Sequence, residues 1–186
     1  MKNEITGMRL RLIVMNFLQF AVWGAYLTSM GTYLFNIGLG AKIGLFYAMQ
    51  GIVSLFMPAI MGIIADRWVP AQKLYGFCHF MAAVFMVAAG WYGYVDGEAV
   101  NFGTLFTFYS LSVAFYMPTL ALTNSVAYTA LDKVKLDPVI AFPPIRIFGT
   151  IGFICSMLLT DILGFQNNYM QFFSCACFGV ILAVYV

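Results

Sequence analysis

The chain has 186 residues, of which 63% are hydrophobic and 9% charged, with a formal net charge of +2. A mean hydropathy of +0.91 lies far above that of a soluble domain, and a balance this close to neutral gives no footing for nucleic acid. What remains is an all-α, polytopic membrane protein. Its four cysteines, Cys78, Cys155, Cys175 and Cys177, all sit in apolar runs. Cys175-Ala176-Cys177 has the wrong spacing for zinc, so they read as small packing residues, and no metal site is expected.

The basic start, with Lys2, Arg9 and Arg11, leads into the first predicted helix, at 10–35. This apolar run is too long for a cleaved signal segment, so it reads as a span entered from the cytoplasm. It carries a polar stripe: Gln19, Trp23 and Tyr26 fall at i, i+4 and i+7, on one face. Lipid has no use for such a stripe, which predicts a face against protein or water. The second helix, at 43–65, contains Pro58 and returns at Gly62-Ile63-Ile64-Ala65-Asp66-Arg67. The third, at 74–94, contains His79, the sole histidine. The fourth, at 102–131, is long enough to imply tilt. Tyr109, Tyr116 and Thr123 recur along it every seven residues, as a second polar stripe. The fifth runs over 138–163 and the sixth over 169–186. Lys2, Arg9, Arg11, Arg67, Lys73, Lys133 and Lys135 then fall on one side and Lys42 alone on the other. That bias puts both ends of the segment in the cytoplasm.

The fifth helix holds the most informative residue. At about 1.5 Å per residue from Pro138, Arg146 lies roughly 12 Å along it, within a hydrocarbon core about 30 Å thick. An arginine there costs at least about 2.5–3.5 kcal/mol and keeps its proton. Thr150 and Phe153 share its face at i+4 and i+7. A fixed cation, a hydroxyl and an aromatic ring are the parts needed to hold a small, flat, polar molecule away from water. The other reading makes Arg146 a structural ion pair between helices, or a side chain that snorkels to the surface.

Several motifs together carry a resemblance. Gly62-x-x-Ala65-Asp66-Arg67 resembles the first half of the loop motif of the major facilitator superfamily, although Val69-Pro70-Ala71-Gln72-Lys73 replaces its second half. Phe17-Leu18-Gln19-Phe20 with Trp23-Gly24, Phe56-Met57-Pro58-Ala59, Tyr116-Met117-Pro118-Thr119-Leu120 and Phe142-Pro143-Pro144-Ile145-Arg146-Ile147 with Gly149-Thr150-Ile151-Gly152-Phe153 follow in order. As a set they resemble the bacterial nucleoside:proton symporters of that superfamily. The resemblance implies the N-terminal six-helix half of a transporter, with 3+3 inverted repeats, in the bacterial inner membrane. It implies that Arg146, Thr150 and Phe153 are this half's share of a nucleoside site, with the C-terminal six-helix half absent from this chain. It further implies import by alternating access, with a proton as coupling ion and no other cofactor.

Other assignments stay open on the sequence. Gly62, Asp66 and Arg67 read as a cytoplasmic gating motif or as ordinary helix-end charge. His79 reads as a proton site or as a hydrogen-bonded packing residue, the alternative carrier being a carboxylate of the absent half. Gln19, Trp23 and Tyr116 read as cavity lining or as interhelix packing. No pair or cluster suited to catalysis is present, so an enzyme is not expected. The competing class is a non-transporting six-helix assembly or sensor subunit, in which Arg146 is a structural ion-pair residue.

Overall fold

The computed structural model describes residues 2–186. Its helices are α1 (Lys2–Gly24), α2 (Met30–Asn36), α3 (Ile43–Arg67), α4 (Ala71–Asp96), α5 (Phe102–Lys133), α6 (Pro138–Ile162) and α7 (Met170–Tyr185). Short 3-10 turns at Gly40–Lys42, Gly97–Ala99 and Phe165–Asn167 join them. Among the described residues five helices are long and apolar enough to cross a membrane, and α7 is apolar but shorter. At 16 residues it spans about 24 Å. With α1 and α2 as one crossing, the chain makes six.

Local chemistry fixes several ends. The Asn101 side chain accepts from the backbone N–H groups of Gly103 and Thr104 and caps α5. Asp137 does the same for Val139 N–H, with Pro138 opening α6. Gly164 closes α6 at φ +70°, a conformation that favours glycine.

The first crossing differs from the single helix expected over 10–35. It breaks after Gly24 and resumes at Met30. Polar side chains from distant helices receive the freed carbonyls, as a break inside a membrane requires. The Thr160 hydroxyl of α6 lies 3.0 Å from the carbonyls of both Ala25 and Ser156. Tyr47 of α3 donates to Leu27 O (2.8 Å). Ser29, at the start of α2, donates to Gln171 of α7 (2.9 Å).

The packed pairs are α1 with α6, α4 with α5, α4 with α7, α3 with α5 and α1 with α7. Exchanging the first three crossings for the last three turns the α1–α6 pair into α5–α3. The same exchange turns α1–α7 into α5–α4 and returns α4–α7 to itself. Exchanged crossings traverse the membrane in opposite senses, so the pattern is that of an inverted 3+3 repeat. Two apolar cores fill the bundle. One surrounds Tyr26, Phe46, Met86, Tyr109 and Phe172, and the other Leu12, Tyr75, Leu131, Ile145 and Leu182. Helix α3 is the least covered, presenting Leu45, Ile52, Leu55, Phe56, Ile60 and Ile63 outward.

Glycines bring α1 and α6 together. A Cβ on Gly24 would run into Phe153 O and Ser156 Oγ, and one on Gly152 into Phe17 O. The two backbones therefore touch where the central residues of both helices lie.

Candidate functional site

Arg146 projects from α6 toward α1. Its guanidinium carbon sits 3.8 Å from the centre of the Phe20 ring, a cation–π contact. Among the described residues no carboxylate pairs with it and no acceptor takes its N–H groups. The side chain is only partly buried. Thr150 is exposed one turn on, and Phe153 is half-buried after it. The three residues share one face, with the arginine and the phenylalanine drawn into an aromatic wall.

That wall comes from three helices. Trp23 of α1 meets Phe153 edge-on (6.4 Å between centroids), Tyr116 of α5 (6.2 Å) and Phe20 (6.4 Å). Hydrogen bonds hold it from behind. Trp23 Nε1 donates to Gln50 Oε1 (3.1 Å), and Gln50 Nε2 donates to the Tyr109 hydroxyl (2.6 Å). The Tyr116 hydroxyl donates to the backbone carbonyl of Gln19 (2.8 Å). Of the ring contacts, the Trp23–Phe153 contact is edge-to-face, a geometry that adds about 0.5–1.5 kcal/mol beyond burial.

Trp23, Tyr116 and Gln19 do not play the same part. Trp23 is partly open, whereas Tyr116 is 2% exposed and Gln19 fully buried. The Gln19 side chain is an interhelix node. Its Oε1 accepts from the Tyr75 hydroxyl (2.6 Å) and lies 2.7 Å from His79 Nε2, while its Nε2 donates to Thr119 Oγ1 (2.8 Å). Tyr75 in turn accepts from Thr123 (3.2 Å). His79 is equally buried, so it sits in this node and away from the open face. Gly62 lies near the end of α3, and Asp66 and Arg67 are exposed there, apart from the Arg146 wall.

Phe20 entered the sequence reading only as part of the Phe17-Leu18-Gln19-Phe20 motif, with no role of its own, and Gln50 and Tyr75 escaped it. Gln50 could have been found as an amide inside an apolar helix, which needs a partner. Phe20 gave no such signal, since a phenylalanine in a membrane helix is unremarked until its neighbour across the interface is known.

This six-helix bundle with an inverted repeat has the fold of the N-terminal half of a major facilitator superfamily transporter, and among the described residues no carboxylate meets the Arg146 cation on its aromatic face. The family model described as "Nucleoside H+ symporter" matches residues 6–186, and the chain belongs to that family. It is 39% identical over 178 residues to the xanthosine permease of Escherichia coli (strain K12), covering 95% of this chain and 41% of that protein. It is 38% identical over 182 residues to the nucleoside permease NupG of the same organism, covering 96% of this chain and 42% of the relative. The crystal structure of the nucleoside transporter NupG superposes with a TM-score of 0.87 at 37% identity, over 96% of this chain and 43% of that one. The chain thus spans less than half the length of the relatives it matches.

Proposed function

We propose that this chain supplies the N-terminal half of a secondary transporter that imports nucleosides with protons, the substrate lying between it and a second six-helix half. The observation that carries this reading is Arg146: a charged side chain within a span, steadied by an aromatic ring, with its hydrogen-bonding edge unused. The guanidinium donates to base carbonyl or ribose oxygens, Thr150 donates and accepts, and Phe153 offers a ring for stacking. The printed names of the relatives, a xanthosine permease and a nucleoside permease, support the same substrate class. Transport proceeds by alternating access, in which nucleoside and proton shift the equilibrium between inward-open and outward-open states through their differential affinity.

Both ends of the segment face the cytoplasm of a bacterial inner membrane, as the lysine and arginine bias supports. Asp66 and Arg67, exposed at the end of α3, then close the cytoplasmic side against the second half. His79 pins α4 to α1 through Gln19, and the coupled proton is carried by a carboxylate of the second half. The reading of Arg146 as a structural ion pair loses its support, because no described carboxylate meets it.

The deciding experiment is uptake of radiolabelled uridine and adenosine into proteoliposomes holding the complete transporter, with and without a pH gradient. Arg146→Ala is expected to abolish uptake while membrane insertion and thermal stability persist. Normal uptake by that variant refutes the assignment.

A further inference from the structure

We propose that Phe20 is a positioning residue for the substrate, acting through Arg146, and that Gly149 is a glycine because it must leave room for their contact. The proposal rests on the reading of Arg146 as a nucleoside contact and extends it to how that contact is held.

An arginine side chain has many rotamers, and one left free on an open face would sample most of them. A carboxylate partner would fix it, but would occupy the N–H edge that a ligand needs. The arrangement here fixes it differently. The guanidinium lies 3.8 Å from the centre of the Phe20 ring, so the ring takes a planar face and leaves the N–H edge free. The ring itself is 8% exposed and is held against Trp23. Stacking on a fixed ring removes conformational freedom in advance, so less is lost when the ligand binds.

Gly149 shows that the contact shapes the backbone around it. A Cβ at this position would stand 2.6 Å from Phe20 Cδ2 and 2.8 Å from Arg146 Nη1. Any larger residue would press on both partners at once. Phe20 comes from α1 and the other two residues from α6, so the contact forms only where those helices cross.

The test is binding of uridine and adenosine to the purified complete transporter by calorimetry, with thermal unfolding followed on every variant. Phe20→Leu keeps apolar bulk and removes the aromatic face, and Phe20→Tyr keeps the face. The Leu variant is expected to raise Kd by about 3- to 30-fold, the range a cation–π contact covers between exposed and desolvated settings. The Tyr variant is expected to stay within about 2-fold of the parent, a rescue that a purely space-filling role would not produce. Gly149→Ala leaves both partners in place but forces them apart, and is expected to weaken binding as Phe20→Leu does; it decides the matter if the Leu variant does not fold. A folded Phe20→Leu that binds like the parent, or a folded Phe20→Tyr that binds as poorly as the Leu variant, overturns the inference. If Arg146→Ala also binds normally, the underlying reading of Arg146 falls with it. If Arg146→Ala loses binding while Phe20→Leu does not, the positioning role alone falls.

Discussion

Gln19→Leu offers a sharp test of how this bundle is held. The leucine is close in volume, so the effect comes from chemistry rather than from a cavity. Three hydrogen bonds disappear: those from Tyr75 and His79 to Oε1, at 2.6 and 2.7 Å, and that from Nε2 to Thr119, at 2.8 Å. Interhelix hydrogen bonds inside membranes average about 0.6 kcal/mol, which gives about 2 kcal/mol for the set. The buried His79 Nε2 is then stranded, and the Tyr75 hydroxyl keeps only Thr123 as a partner, which adds a penalty of about 1 kcal/mol or more. A loss of about 2–4 kcal/mol is expected. Near 2–4 °C per kcal/mol for a domain of this size, Tm should fall by about 5–15 °C, read by circular dichroism in detergent. A Tm shift under about 2 °C for Gln19→Leu would refute the node as described.

Two further outcomes follow from the packing. Gly152→Ala forces a methyl into the Phe17 backbone and should cost about 1–3 kcal/mol, seen as a lower Tm and, on the proposed reading that α1 and α6 carry the site together, weaker nucleoside binding. His79→Gln should lower Tm yet leave uptake responsive to a pH gradient in proteoliposomes; uptake that ignores the gradient would make His79 the proton carrier after all.

Much of the architecture could be read from the chain because a membrane simplifies it. Long apolar runs, bounded by Asp66-Arg67, Asp96-Gly97-Glu98 and Asp132-Lys133, have few alternatives to spanning helices. Arg146 stood out for the same reason, as a charge where charges are costly. The break after Gly24 was hidden, because the residues that make it tolerable, Thr160, Tyr47 and Gln171, lie far along the sequence. The part played by Gln19 stayed open for a related reason. Its helical face was legible, but whether that face met an open cavity or Tyr75 and His79 depended on helix order, which periodicity does not encode.

The meeting of α1 and α6 through Gly24 and Gly152 has a consequence for motion. With main chain against main chain and no side chains to act as a cushion, neither helix can slide or roll without a collision. Phe20 and Trp23 therefore travel with Arg146 and Phe153 as one jaw. On the proposed reading, what distinguishes a tight grip on the cargo from a loose one then comes from the opposing half, as it approaches and withdraws.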